Sequence, residues 1–427
     1  MKVKELRALV CEMSEETQKI FSKIYTDPLA QRDRFLGAID SFVTLFGEDR
    51  EVSLLSVPGR SEVLGNHTDH NRGKVLAGAI DKDIIAVVSP NADGVVNLKS
   101  EGYEKDTVDL SLIDDKDAYP KYSSASLVLG TARGFKNAGY KFGGFDAYAT
   151  SDVLRGSGIS SSAAFEVMIG NAFSHLYNGG KIANAELAKI AQYAENEFFG
   201  KPCGLMDQMA CAVGGFVYID FEDAKNPVIE SIEFSLGDAG YNLCIVNTGG
   251  NHADLNEDYA SVPGEMKSVA KIFDREVLRG LTEADIISKI AEIREKVGDR
   301  ALLRAVHFIR ENGRVEDARA ALLSGDVDGF FGIVKASGKS SFEFLQNVYT
   351  NKNVKEQGLS LALLVTEGFL NGKNGACRVH GGGFAGTIQA YIKKEEAEDY
   401  SLLMQSIFGE GAVMKLNVRL FGAVKII

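Results

Sequence analysis

A chain of 427 residues, 45% hydrophobic and 25% charged, has the composition of an ordinary globular protein and is long for one core, so two lobes are expected. Its 59 acidic residues against 47 Lys and Arg leave a net charge of -12, which excludes a general binder of nucleic acid or anionic membrane. The five cysteines are scattered without a C-x-x-C pair, the N-terminus is charged throughout, and no apolar run approaches the about 18 residues of a membrane span, all of which predict a cytoplasmic protein.

Residues 1–48 carry Leu6, Leu9, Val10, Ile20, Phe21 and Ile24 at helical spacing and predict helices. The apolar run 52–57 predicts a strand that ends in a dense polar stretch: Pro58, Gly59, Arg60, Ser61 and Glu62, then Gly65, Asn66, His67, Thr68, Asp69 and His70. Folding alone gives no reason to crowd an arginine, acids, two histidines and an amide into one turn-rich segment, so it predicts a small-molecule site. Strands at 84–89 and 94–98 are joined by a turn at 90–93, a helix follows at 124–136, and a further strand at 144–149.

Residues 154–164 (Leu-Arg-Gly-Ser-Gly-Ile-Ser-Ser-Ser-Ala-Ala) open a long helix over 160–177. Glycines let backbone approach a ligand, serines are natural helix caps, and the free N–H groups at a helix start attract phosphate. No Gly-Lys-Ser/Thr follows, so this is not a P-loop. A helix over 184–199 is stopped by Gly200 and Pro202, and Cys203 to Gln208 then presents an acid, Asp207.

Short strands are expected at 216–221 and 243–247, and mostly helix over 263–338. Residues 381–386 spell a dinucleotide fingerprint, but the strand pattern 387–392 follows where a helix is required. A helix at 395–407 and a strand at 413–418 complete an α+β pattern in two joined lobes. His67, Asp69 and His70 are metal-ligand types without a third partner at suitable spacing, and hydrogen bonding to a polyhydroxylated substrate accounts better for them.

Four segments in order resemble the motifs of the GHMP kinases, and among these the galactokinases. Residues 59–70, with Gly73-Lys74-Val75-Leu76, resemble the galactokinase signature Gly-Arg, Gly-Glu-His-Thr-Asp-Tyr and Gly-x-Val-Leu. Asn66 stands at its glutamate and His70 at its tyrosine. Residues 154–164 resemble the nucleotide loop Pro-x-Gly-x-Gly-Leu-Ser-Ser-Ser-Ala, and 203–208 resemble Cys-Gly-Ile-Met-Asp-Gln. Residues 378–386 resemble Arg-Met-Thr-Gly-x-Gly-Phe-Gly-Gly, with His380 at the threonine.

The resemblance implies a lobe like domain 2 of ribosomal protein S5 over 1–215, a ferredoxin-like lobe over 216–427, and a site between them. It implies an ATP-dependent sugar kinase that makes galactose 1-phosphate, with Asp207 and Arg60 catalytic and magnesium on Ser162 and Glu195. By the same carry-over Gly156, Ser157, Gly158, Ile159, Ser160, Ser161 and Ser162 surround the ATP phosphates, and Asn66, His67, Asp69 and Tyr259 bind the sugar. The implied partners are a small-molecule sugar and ATP, not nucleic acid or membrane, in a monomer or weak oligomer. Asn66 in place of glutamate predicts weaker galactose use or a related sugar such as an N-acetylhexosamine, and predicts that Asn66→Glu raises galactose affinity. A non-catalytic sugar sensor is the rival reading, against which the retention of Arg60, Ser162, Glu195 and Asp207 argues.

Overall fold

The computed structural model describes residues 1–25, 27–153, 158–250 and 255–427. Among the described residues twelve strands form two sheets. The larger contains β1 (Ser53–Leu64), β2 (Lys74–Pro90), β3 (Val95–Ser100), β4 (Lys105–Asp109), β5 (Phe145–Ser151), β6 (Phe216–Asp220) and β7 (Val228–Ile232). The smaller is an antiparallel sheet of β8 (Tyr241–Asn247), β9 (Ala376–His380), β10 (Thr387–Lys393) and β11 (Val413–Leu416), ordered β11-β8-β10-β9. The last strand, β12 (Val424–Lys425), returns to the large sheet beside β1.

Two features depart from the sequence expectation. β1 does not stop at Val57: it runs through Arg60 to Leu64, with register breaks between Pro58 and Arg60 and between Glu62 and Leu64. Such irregularities turn side chains out of strict alternation, and they fall where the polar residues begin. The turn at 90–93 is a crossover, not a hairpin, because β5 lies between β2 and β3 and runs parallel to β3.

Alternation along β1 and β2 buries both faces of the large sheet. Leu54, Ile85 and Val87 pack on the N-terminal helices α1 (Val3–Glu12), α2 (Glu15–Phe21) and α3 (Arg32–Phe46). Leu55, Val57, Ala86 and Val88 join the core under α4 (Ser124–Asn137), α5 (Ser161–Tyr177), α6 (Asn184–Ala194) and α7 (Met206–Val213). The C-terminal half adds α8 (Asn256–Ile272), α9 (Glu283–Ser288), α10 (Ile290–Val297), α11 (Asp299–Ser324), α12 (Val327–Ser340), α13 (Gly358–Phe369) and α14 (Ala397–Phe408). α8 begins before the expected residue 263 and holds Pro263 inside it.

One face of the small sheet buries Val246, Val379 and Ile388 against α13 and α14. Its other face turns Arg378 and Gln389 toward β1. Arg378 Nη1 donates to Val63 O at 2.8 Å and Gln389 Nε2 to Glu62 O at 3.1 Å, so the two-lobed α+β architecture is joined at the far end of β1. At the middle of β2, opposite Pro58 of β1, the buried Asp83 accepts from Arg34 (2.7 Å), Arg419 (3.1 Å), Tyr25 and Ser56. Burial would raise its carboxyl, but the two guanidiniums hold it below the usual range, tying the N-terminal helices and the C-terminal segment to the sheet. No helix among the described residues is long and apolar enough to cross a membrane.

Candidate active site

The extension of β1 carries Arg60 to the start of α7. Its Nε and Nη2 each donate to one oxygen of Asp207 at 2.7 Å, a bidentate pair that is the strong form of a charged hydrogen bond. Nη1 donates to Gly158 O at 2.6 Å, and Ser160 Oγ donates to Asp207 Oδ2. Burial pushes the Asp207 carboxyl up, but the Arg60 charge and bonds outweigh it and hold the pKa below the usual aspartate value. Asp207 is therefore an anion at neutral pH.

The loop before α5 reaches this pair because Gly59 has no side chain. A Cβ there would lie 2.7 Å from Ile159 O, the atom that accepts the Arg60 N–H at 3.1 Å. Ile159 is buried in the core and anchors the loop, and Gly158 and Ser160 take positive φ of 77° and 58°. Ser160 is the residue before α5, yet its hydroxyl makes no capping bond; it is spent on Asp207. That corrects the expectation of a serine cap. Gly156 and Ser157, expected on the ATP phosphates, lie outside the described residues.

Ser161 and Ser162 line a cleft of about 560 Å³ beside this loop, together with Tyr103, Phe165, Phe199 and Lys201. Lys201 reaches from its rim to Glu195 Oε1 at 3.0 Å. Glu195 is buried where α6 ends in a wider π-type turn, and Oε2 accepts from Gln208 Nε2 at 2.7 Å. The same Gln208 nitrogen donates to Glu166 Oε2 at 3.1 Å. Burial first, then the Glu195 charge, pushes the Glu166 carboxyl well above the usual range. Glu166 Oε1 and Gln208 Oε1 are buried without a hydrogen-bond partner. Gln208, Glu166 and Lys201 were not singled out from the sequence; Gln208 alone had a signal, its place in the motif beside Asp207.

The sugar-signature residues divide. Asp69 sits on the rim of the chain before α7, since a Cβ on Gly204 would lie 3.2 Å from its Oδ2. His70 Nε2 stands 3.7 Å from its Oδ1, and its carboxylate accepts no hydrogen bond among the described residues, so it is open to a ligand. His67 has positive φ of 59°, is pushed down in pKa by burial, and donates from Nε2 to Gly382 O at 2.9 Å. Tyr259 donates to Gly383 O at 2.9 Å and stands edge-on to Phe384.

Asn66, expected to face the sugar, is fully buried. Its Nδ2 donates to Glu62 Oε1 at 2.9 Å and to Gly381 O at 2.6 Å, while Oδ1 accepts from Asn347 Nδ2 at 2.6 Å. Both N–H donors of the amide are engaged within the protein, and its oxygen is turned to Asn347. The glycine-rich segment after β9 thus lies against Asn66, His67 and Tyr259, and its head, His380, is buried between Ser61 and Thr387. His380 also lies beneath Gly158, whose added Cβ would be 3.5 Å from its ring. Burial, then the Arg60 charge, pushes the His380 pKa down to about 3.

This geometry can now be set beside known proteins. Residues 123–215 match the GHMP kinase N-terminal domain and residues 40–90 the galactokinase galactose-binding signature. A galactokinase of Streptomyces coelicolor is 29% identical over 372 residues, 86% of this chain and 92% of the relative. The crystal structure of Lactococcus lactis galactokinase complexed with galactose superposes with a TM-score of 0.74 at 22% identity, covering 90% of this chain and 98% of that one. Methanococcus jannaschii mevalonate kinase superposes with a TM-score of 0.60 at 14% identity, over 86% and 98%. Fold, ordered motifs and the galactose-binding signature agree: the chain is similar to the GHMP kinases and, among these, to the galactokinases.

Proposed function

We propose that this protein transfers the γ-phosphoryl group of ATP to the C1 hydroxyl of galactose. The observation that carries the reading is the Asp207–Arg60 pair, held between the nucleotide-loop segment and the Asp69 carboxylate. Phosphoryl transfer asks for a positioned acceptor and compensation of charge more than for covalent chemistry. Asp207, kept anionic by Arg60, orients the sugar hydroxyl and receives its proton as the new O–P bond forms and the bond to ADP breaks. Arg60 keeps a positive charge beside the transferring group. Asp69 accepts from sugar hydroxyls, with His67 and Tyr259 closing the pocket. The amides of residues 156–162 cradle the phosphates.

Ser162 and Glu195 are hard oxygen donors of the kind magnesium prefers, and the unpartnered oxygens of Glu166 and Gln208 beside Glu195 favour a nearby cation. They would hold the ion, which when bound neutralises phosphate charge. Lys201 stands on Glu195 in this structure. The lobe division belongs after β7 and not at residue 215, because β6 and β7 pair into the first sheet; a cytoplasmic location and a monomer or weak oligomer belong to the same proposal, and the five free thiols support the location. The test is ADP release across a panel of hexoses and hexosamines, with galactose expected to give the highest kcat/KM. Failure with every sugar alongside clear ATP binding would replace this reading with that of a non-catalytic sensor.

A further inference from the structure

Three successive carbonyls of the glycine segment are each held by a different side chain. Gly381 O accepts from Asn66, Gly382 O from His67 and from Asn347 Nδ2 at 3.1 Å, and Gly383 O from Tyr259. Asn347 also supplies its own carbonyl to Phe384 N–H, and a Cβ on Gly383 would overlap that carbonyl at 2.0 Å. The Gly382 and Gly383 N–H groups have no partner among the described residues.

Behind this clamp Asn66 is the common element. Its amide donates to Gly381 and to Glu62, accepts from Asn347, and its backbone carbonyl accepts from His307 Nε2 at 3.1 Å. His307 is fixed in turn by Ser340 at 2.9 Å. Glu62 and Gly381 O are acceptors only or largely so, and Asn347 Nδ2 is a donor. Only a side chain with both an N–H₂ and a C=O satisfies all of them at that distance from the backbone. A carboxylate at position 66 would face two acceptors in a buried setting, which costs free energy whether it ionises or not.

We infer that Asn66 is a positioning residue and not a sugar ligand: the Glu62–Asn66–Asn347 chain fixes the glycine segment, and the identity of residue 66 is set by Glu62 and Asn347, not by the sugar. The expectation that Asn66→Glu raises galactose affinity is thereby reversed. Sugar discrimination at this end of the pocket falls to Asp69 and to the exposed faces of His67 and Tyr259. The substrate arm of this inference rests on the sugar-kinase reading; the conformational arm does not.

The test compares Asn66→Asp, Glu62→Gln and the double variant. Asn66→Asp sets an acid against Glu62 and Gly381 O and is expected to raise the galactose KM at least about tenfold, while the dissociation constant for ADP, measured by calorimetry, changes less than about twofold. Glu62→Gln retains an acceptor for Asn66 and costs a few-fold at most. In the double variant the amide introduced at position 62 donates to the carboxylate introduced at position 66, and at least about fivefold of the loss returns. Hydrogen exchange at residues 381–385 should quicken in Asn66→Asp and slow again in the double variant. Should Asn66→Asp not fold, Asn347→Ala removes the donor to Asn66 and Gly382 without adding charge, and is expected to raise the KM and quicken exchange in the same way. Tighter galactose binding by Asn66→Asp or Asn66→Glu, or a double variant no better than Asn66→Asp, overturns the inference. If wild type phosphorylates no sugar, the kinase reading fails, and the exchange pattern alone decides whether the clamp exists.

Discussion

Asp207→Asn separates charge from shape at the centre of the site. The asparagine keeps the outline of the aspartate but turns an N–H₂ toward one of the two Arg60 nitrogens that now donate at 2.7 Å. One charge-assisted bond is replaced by a donor facing a donor. Arg60, whose side chain is 12% exposed, loses its counter-charge. Stranding a guanidinium in that setting costs about 2–3 kcal/mol of stability. Catalytically the variant can neither hold the acceptor hydroxyl through an anion nor take its proton, and loss of a positioned base costs about 10²–10⁴ in rate, or about 3–5 kcal/mol of barrier. ADP-release assays at saturating galactose and ATP should show kcat down about a thousandfold, with ATP affinity by calorimetry within about threefold of wild type. Because Asp207 is held below the usual aspartate pKa, it stays ionised through the assay range, and any acid limb of kcat above pH 5 belongs to another group. A folded Asp207→Asn protein within about tenfold of wild-type kcat would refute this assignment.

Gly59→Ala places a methyl 2.7 Å from Ile159 O, so the nucleotide-loop segment must retreat; about 1–3 kcal/mol of stability and a drop of about tenfold or more in kcat/KM are expected from melting curves and steady-state kinetics. Ser160→Ala removes one donor to Asp207 but none of its charge pairing, and should cost about 1 kcal/mol of barrier, roughly fivefold in kcat, with little change in stability. His307 and His380 are buried with pKa values pushed down to about 4 and about 3, against about 6.5 when unfolded. Their contribution to stability is present above pH 6.5 and is lost as pH falls toward 4, so ring ¹⁵N shifts should show both imidazoles neutral at pH 5 while denaturant midpoints decline across that interval. Asp83→Asn leaves Arg34 and Arg419 facing a neutral amide in the interior and should destabilise by about 3–5 kcal/mol without changing KM for either substrate in the folded fraction.

How far the sequence disclosed this site depends on how local each signal was. The strand, loop and helix that bring Arg60, Ser160 and Asp207 together were each legible: an apolar run, a glycine–serine loop opening a periodic helix, and an acid after a glycine stop. What could not be read was the extension of β1 past Pro58. Polar residues 60–62 look like a turn in isolation, and only pairing with β2, Arg60 against Ala79 and Glu62 against Ala77, makes them strand. The buried acid pair was half hidden for a related reason. Glu166 lies one turn inside α5 among apolar residues, and nothing local says that Glu195, twenty-nine positions later, shares Gln208 with it.

Position 66 shows the limit most sharply. Read along the chain, an amide where relatives of this type carry an acid suggests an altered substrate. Its partners, however, are Glu62 near the end of β1, Gly381 from the loop after β9 and Asn347 from the segment after α12, the last two 315 and 281 residues away. Asn347 lies in no motif, so no pattern around it marks it as a partner. Once the fold closes, the amide is the only side chain of that length able to donate to an acid and a carbonyl while accepting from a second amide. A substitution within a binding motif therefore carries two meanings that the chain alone does not separate, contact with ligand or contact with the rest of the protein. Here the burial of Asn66 and the engagement of both its N–H donors favour the second, while the unbonded carboxylate of Asp69, three residues on, favours the first.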